Sequence, residues 1–194
     1  MKHLLLVLTL LMLPFAARAQ SAAQAPPVAP PVAQAQPDDW QTVVAPDLRC
    51  RLEMPSPARK SEGGAREKGH AAPRLSWESK RGEQIFDFDY VEYDAGWFSG
   101  RDTRDAVRDL GRGEAEKAFP RAKFKYARDE AVTLQGWDGY ALDIEDANGA
   151  GIMMRTYIVR DRLYRMLVTA SADMKSKSAA LRFLDSLKVA ETRP

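Results

Sequence analysis

The 194-residue chain has 29 lysines and arginines against 27 aspartates and glutamates, two histidines and one cysteine. One cysteine cannot form an internal disulfide, and two histidines argue against a His-dependent triad or a multi-histidine metal site. The net positive charge comes from Lys2 and Arg18 near the N-terminus, so the rest of the chain is neutral. A neutral chain has no general electrostatic attraction to nucleic acid or anionic lipid.

The N-terminus has the pattern of a secretory signal peptide. Lys2 gives it a positive start, an apolar run covers residues 4–15, and Ala-Arg-Ala at 17–19 matches a small-x-small cleavage motif before Gln20. The apolar run is shorter than the roughly 20 residues of a membrane-spanning helix. We predict cleavage before Gln20, export to the periplasm and no integral membrane segment afterwards. An uncleaved signal anchor is the alternative.

Fifteen of the twenty residues 20–39 are Ala, Pro or Gln, and almost none has a bulky side chain. Such a segment cannot bury enough apolar surface to offset the entropy cost of folding, and its prolines favour an extended chain. We predict a disordered linker, which serves either as a tether that lets the domain reach a partner or as an inert leader. The remaining residues, 40–194, suit a single α/β domain.

Apolar and polar residues alternate in the stretch LRCRLEM, as in a half-buried strand. The positions predicted to face the core are Leu48, Cys50, Leu52 and Met54. Cys50 is therefore interpreted as a small core hydrophobe, and a reactive thiol is the alternative.

Glycines and charges of both signs fill residues 56–73, which we predict to be a mobile hairpin connection. Two strands are predicted next, at 74–79 and 84–93, joined by a Lys-Arg-Gly turn. A helix follows, with Asp102 as its N-cap and Pro120 as its end. Glycines inside this helix each cost about 1 kcal/mol of helix propensity, so tertiary packing must hold it.

The loop before this helix, YDAGWFSG, places large aromatic side chains between glycines. Tyr93, Trp97 and Phe98 could form an exposed anchor for a partner, since aromatic side chains often dominate interfaces. Large aromatics are more often buried, so the favoured interpretation is a plug that seals the helix against the sheet.

Asn148-Gly149 is a strong signal for a two-residue type I′ hairpin. Centring the turn there places Leu142 opposite Arg155. With a second tight turn further on, three strands then share one apolar face. The residues of that face are Tyr140, Leu142, Ile144, Met153, Tyr157, Val159, Tyr164, Met166 and Val168.

The opposite face of this meander is polar at one end and apolar at the other, so we expect helices on both sides of the sheet. One is the segment near the C-terminus, where Ala180, Phe183, Leu184 and Leu187 recur at helical spacing. Trp137 and the glycines near it are interpreted as the corner of a sheet rather than as a binding site.

Charged side chains within the strands suggest further candidate sites. Arg155 falls among apolar neighbours, and a buried guanidinium needs a partner. We therefore interpret it as half of a structural ion pair or as a residue at the margin of the sheet, with a ligand-anchoring arginine as the alternative. The carboxylate pairs Asp87/Asp89 and Asp143/Glu145 could serve acid–base chemistry or Ca²⁺, although neither fits a calcium loop. The favoured interpretation is solvated strand faces with cross-strand Lys or Arg partners.

The motifs RLEMPSP, GWDGYALD, RDRLYRMLV and RFLDSLKV occur in this order across residues 40–190. In order and spacing the chain resembles uncharacterised exported bacterial proteins with a PsbP/Mog1-like fold. The resemblance implies an α+β fold, an α/β/α sandwich around a mainly antiparallel sheet. It also implies a binding or accessory protein rather than an enzyme, and it assigns no functional residue.

The chain has no nucleophile-elbow, Walker A, dinucleotide-binding or zinc-ligand motif, so we expect no cofactor or metal. We predict a non-catalytic periplasmic accessory module that binds an unknown protein partner in the cell envelope and no nucleic acid. Its candidate contacts are Tyr93, Trp97, Phe98 and Arg155. The alternatives are a small-ligand carrier with a pocket between sheet and helix, and a carboxylate-dependent hydrolase.

Overall fold

Two sheets and two helices form the computed structural model, which describes residues 39–67, 70–118, 124–170 and 174–191. Their bounds, in chain order, are β1 (Trp40–Val44), β2 (Cys50–Pro55), β3 (Arg59–Glu67), β4 (His70–Arg81), β5 (Gln84–Glu92), α1 (Thr103–Ala118), β6 (Lys125–Leu134), β7 (Trp137–Glu145), β8 (Gly151–Val159), β9 (Arg162–Ala170), α2 (Met174–Leu184) and β10 (Lys188–Val189). The predicted signal peptide, and the linker apart from Asp39, lie outside the described residues.

The larger sheet has seven strands in the order β3-β4-β5-β9-β8-β7-β6, and the smaller has three in the order β1-β2-β10. All neighbouring strands run antiparallel. The mainly antiparallel sheet with accompanying helices, which the sequence predicts, is therefore confirmed.

Successive side chains of a strand point to opposite faces of the sheet. On the large sheet, both faces carry buried apolar side chains. On one face, Phe86 meets Phe183 of α2 edge to face, with ring centres 5.5 Å apart, and the same cluster includes Leu52 of the small sheet. On the other face, Met154 and Val107 of α1 belong to a second cluster. One face is thus covered by α1 and the other by α2 together with the small sheet.

The connection between β7 and β8 is longer than the predicted two-residue turn. The carboxylate of Asp146 accepts hydrogen bonds from the N–H groups of Asn148 and Ala150, at 2.8 and 3.0 Å. Gly149 follows with a φ of 80°, which glycine adopts easily. The carboxylate of Asp146 therefore organises the loop.

This loop shifts the register of the hairpin by one residue. Leu142 pairs with Met154, and Arg155 pairs with Ala141. Because a one-residue shift turns a strand's side chains to the opposite face, the single apolar face predicted across three strands was wrong. Tyr140, Leu142 and Ile144 lie on the α1 face, whereas Met153, Tyr157, Val159, Tyr164, Met166 and Val168 lie on the α2 face.

The segment 56–73, predicted to be a mobile hairpin connection, contains β3 and the start of β4. Gly63 pairs with Arg74, and Gly64 with Pro73. The prediction was wrong because β3 is an edge strand. Glycines and charges weaken a central strand, but an edge strand has one neighbour only and tolerates them.

The first predicted strand is correct except at its start. Cys50, Leu52 and Met54 are buried, and burial raises the pKa of the Cys50 thiol to about 12, as expected for a core hydrophobe. Leu48, which was predicted to face the core, instead precedes β2 and is 74% exposed, with a φ of 60°.

Both helices begin or pack as predicted. The carboxylate of Asp102 accepts hydrogen bonds from the N–H groups of Arg104 and Asp105, at 2.8 and 3.4 Å, and so caps α1. Pro120, predicted as its end, lies outside the described residues. In α2 and the turn after it, the four residues predicted at helical spacing are buried: Ala180, Phe183, Leu184 and Leu187.

The packing of α2 can be tested with neighbouring residues of that helix. Phe183→Ala should lower the free energy of unfolding by roughly 3–5 kcal/mol, because a fully buried ring leaves a cavity. Leu181→Ala, at an exposed position of the same helix, should change it by less than about 0.5 kcal/mol. Urea denaturation followed by circular dichroism measures both, and equal effects would contradict the assigned helix face.

Candidate functional site

The loop between β1 and β2 presents an exposed leucine. Ala45, Pro46, Asp47 and Leu48 form a tight turn, closed by a 2.9 Å hydrogen bond from the N–H of Leu48 to the carbonyl oxygen of Ala45. Proline suits the second position of such a turn because its φ is fixed. The last residue has a φ of 60°, a left-handed conformation that glycine and asparagine adopt at lower cost than leucine.

The exposed leucine borders an open concavity of about 490 Å³. Val44, which is 47% exposed, contributes a second apolar side chain, and the cations Arg51 and Lys188 also line it. We call Val44, Leu48, Arg51 and Lys188 the Leu48 surface. Cys50, which is buried, is also among the residues that line this concavity.

A buried arginine fixes the loop that carries Leu48. Arg162 is 3% exposed and donates from Nη2 to Asp47 at 2.5 Å and from Nε to Glu92 at 2.6 Å. Its guanidinium carbon lies 4.2 Å from the ring centre of Tyr90. Burial alone would raise the pKa of Asp47, but hydrogen bonds from Arg162 and from the N–H of Arg49 outweigh it and hold that pKa below its usual range. We call Asp47, Glu92 and Arg162 the Arg162 cluster.

The turn between β6 and β7 supplies another wall of the concavity. The side-chain amide of Gln135 donates to the carbonyl oxygen of Val189 at 2.9 Å and accepts from its N–H at 2.8 Å. These two bonds replace a neighbouring strand along β10. Beside them, Trp137 donates from Nε1 to the carbonyl oxygen of Glu191 at 3.0 Å. The strand that carries Lys188 is therefore fixed on both sides.

The aromatic residues proposed from the sequence as contacts are mostly buried. Tyr93 and Phe98 belong to the core cluster on the α1 face, with ring centres 5.1 Å apart. Trp97 stacks on Tyr93 at 5.6 Å, and the guanidinium of Arg101 lies 5.0 Å from its ring centre. This burial fits the plug interpretation, and Trp97 alone keeps a partly exposed side chain.

Arg155 is also buried, with 3% of its surface exposed. Its Nη1 donates to Asp143 at 2.6 Å and to the carbonyl oxygen of Met154 at 2.8 Å. The ion pair expected from the sequence is therefore present.

Basic side chains pair with Asp89, Asp143 and Glu145. On β5, however, Asp89 is buried and Asp87 is half-buried, so that strand face is not solvated as predicted. Asp89 accepts hydrogen bonds from Arg74 and Arg165, each at 2.8 Å. Burial raises the pKa of its neighbour Asp87 to about 6, and repulsion from Asp89 adds to that rise. Asp143 pairs with Arg155 as above. Among the described residues, nowhere do three metal-ligating side chains converge.

Trp137 lines a second, smaller cleft of about 220 Å³ with Asp138 and Arg160. The carboxylate of Asp138 is already engaged, since it accepts hydrogen bonds from the hydroxyl of Thr103 and from Nε of Arg104. The interpretation of Trp137 as a sheet corner fits its position at the first residue of β7.

No protein-family model and no curated protein matches the chain. The solution structure of cyanobacterial PsbP, CyanoP, from Synechocystis sp. PCC 6803 aligns with a TM-score of 0.53 at 11% identity, over 80% of this chain and 95% of that chain. The fold is PsbP-like. The crystal structure of LpqN, involved in cell envelope biogenesis of Mycobacterium tuberculosis, aligns with a TM-score of 0.44 at 15% identity, over 78% and 91% of the respective chains.

The PsbP-like fold implied by the sequence motifs is thus confirmed. At 11% identity the similarity to CyanoP concerns the fold alone. Across the described part of the chain, no helix combines the length and the apolar character needed to cross a membrane.

The Leu48 surface was missed in the sequence because Leu48 continued an apolar alternation. One signal was present: Pro46-Asp47 immediately before it is typical of a turn, which would have placed Leu48 outside the strand. The approach of Lys188 to Arg51 had no local signal, since the two residues are 137 positions apart along the chain by their numbering.

Asp87 should make the protein less stable at neutral pH than at acidic pH. Its pKa is about 6 in the folded protein against an ordinary 3.8, so the folded state holds a proton that the unfolded state loses in this interval. Asp87→Asn should therefore raise the free energy of unfolding by roughly 1–3 kcal/mol above pH 6 and leave it unchanged below pH 4. Urea denaturation at several pH values measures this, and a pH-independent effect would contradict it.

Asp47→Asn tests the Arg162 cluster. Arg162 would lose one of two anionic partners, and the free energy of unfolding at pH 7 should fall by roughly 1–3 kcal/mol. The pKa of Asp47 is lowered in the folded state, so its contribution is present above the ordinary pKa of 3.8 and is lost as the pH falls further. The difference from wild type should shrink below that pH. Asp109→Asn, at an exposed helix position, is the matched control; equal losses would contradict the role of Asp47.

Proposed function

We propose that this chain is an exported, non-catalytic accessory module that docks a protein partner in the cell envelope through the Leu48 surface. Leu48 carries the proposal. It is 74% exposed, so its side chain gains little hydrophobic stabilisation from folding. Its left-handed backbone costs about 1–2 kcal/mol relative to an ordinary conformation. A residue that is unfavourable in the free protein is explained if it makes its contacts in a complex.

The surroundings of Leu48 favour a protein as the ligand. Val44 and Leu48 provide apolar contact area beside an open concavity, with Arg51 and Lys188 as its polar neighbours. An apolar centre with a polar rim is the usual composition of a protein interface. The Arg162 cluster holds the loop rigid before binding, which reduces the entropy lost on association.

Export and an accessory role are supported by separate observations. The signal-peptide pattern of residues 1–19 supports export to the periplasm. The PsbP-like fold and the lack of a recognised catalytic motif in the sequence support a binding module. We also infer that the layers are a version of the α/β/α sandwich in which α2 shares its side with the small sheet.

The contacts proposed from the sequence have a minor part here. Tyr93, Phe98 and Arg155 are buried, so they would reach a partner only after rearrangement. Trp97 is partly exposed, and we propose it as an additional contact outside the Leu48 surface. A ligand carrier built around Arg155 has less support, because Nη1 of Arg155 already pairs with Asp143.

Photocrosslinking in living cells tests the proposal. A photoreactive phenylalanine analogue in place of Val44 should give a discrete crosslinked product, because that position lies beside Leu48. The same analogue in place of Tyr126, an exposed residue of β6, is the control and should give none.

Combining the analogue at position 44 with Leu48→Asn should remove the product, since asparagine suits a left-handed backbone but supplies no apolar contact. A circular dichroism melting curve should show that this variant is folded. Identical products from positions 44 and 126, or a product that Leu48→Asn does not change, would contradict the proposal.

A further inference from the structure

Two cations lie side by side on the Leu48 surface. Lys188 of β10 pairs directly with Arg51 of β2, so the two side chains project from the same face of the small sheet. Both are exposed. Like charges directly opposite each other on neighbouring strands destabilise a sheet. This arrangement therefore costs free energy in the unbound protein, as the backbone of Leu48 does.

Three acidic side chains nearby are engaged elsewhere. Glu53, two positions along the same face of β2, accepts a hydrogen bond from Nε of Arg182 at 2.9 Å. Asp47 and Glu92 are held by Arg162. Within the ranges that the structure describes, Arg51 and Lys188 form no ion pair.

The two cations stand between two open concavities. Among the described residues that line the concavity beside Leu48, the side chains are apolar, basic or amide, and none is acidic. Another concavity, of about 420 Å³, is also lined by Arg51 and Lys188 and extends towards the end of α2, where Asp185 lies on its wall. A bound segment that follows this path would pass the leucine first and the cation pair next.

We propose that the partner segment recognised by this surface carries an acidic residue beside an apolar one. This inference rests on the proposed function and specifies the partner. The apolar side chain would contact Val44 and Leu48, and the carboxylate would lie between Arg51 and Lys188. Arginine can donate two parallel N–H groups to a carboxylate, and lysine adds a compact positive charge. A carboxylate in this place also relieves the repulsion between the cations.

Short random peptides displayed on phage, selected against the purified exported protein, provide the test. Enriched sequences should contain Asp or Glu next to Leu, Ile, Val or Phe. A synthetic peptide with the enriched sequence, titrated by fluorescence anisotropy, should lose about tenfold or more in affinity with Arg51→Glu and with Lys188→Glu. Lys60→Glu, on β3, is the matched control and should change the affinity by less than about twofold. Added salt should weaken binding, because both cations are exposed.

The outcomes separate the two proposals. If Leu48→Asn abolishes peptide binding while both charge reversals leave it unchanged, the docking surface stands and the acidic partner is wrong. If no acidic peptide is enriched, the acidic partner is equally wrong, and photocrosslinking at position 44 still decides the docking surface. If enriched peptides bind the Leu48→Asn variant as tightly as the wild type, both are wrong. A free protein that sediments as a dimer, and as a monomer after Leu48→Asn, would show that a second copy occupies the surface, which overturns the acidic partner.

Discussion

The guanidinium of Arg162 is buried at the start of β9, where an unpaired charge would cost several kcal/mol. Asp47 comes to it from the β1–β2 loop and Glu92 from the end of β5. Tyr90 supplies an aromatic face. Asp47 lies between two strands of the small sheet and Glu92 in the large one, so both sheets must be folded together for the two carboxylates to offset this cost. The Arg162 cluster therefore couples the two sheets electrostatically, in addition to their shared apolar core.

The same constraint explains how a leucine can occupy a left-handed conformation. Asp47 precedes Leu48 directly, and its carboxylate is bound by Arg162 and by the N–H of Arg49. The ion pair and the hydrogen bond of Asp47 thus hold the turn, while the side chain of Leu48 remains in solvent. Leu48 and the Arg51–Lys188 pair are two unfavourable features on one small surface, and both become favourable when the same acidic and apolar partner binds.

Local patterns in the sequence were sufficient for much of the core. Alternation placed Cys50, Leu52 and Met54 inside, and helical spacing identified the buried face of α2. The errors arose where an interaction outside the pattern decided the result. The carboxylate of Asp146 lengthened a turn and reversed the faces of a hairpin, and the edge position of β3 made a strand of a glycine-rich segment.

The candidate site could not be predicted from the sequence, for a different reason. Its cations come from β2 and β10, and only the pairing of these strands, far apart in the chain, brings them together. Leu48 continues the pattern of the strand that follows it, so its exposure depends on the turn held by Arg162. The aromatic residues Tyr93 and Phe98 were candidate contacts in the sequence, but in the structure they belong to the core cluster on the α1 face.

The claim that Leu48 is kept for binding rather than for folding is tested most directly by the free energy of unfolding of Leu48→Gly. Glycine relieves the left-handed backbone but makes the unfolded chain more flexible, so the account predicts a change between about zero and about 1 kcal/mol of added stability. A loss of about 2 kcal/mol or more would mean that the leucine packs against the protein in solution, and it would contradict the account.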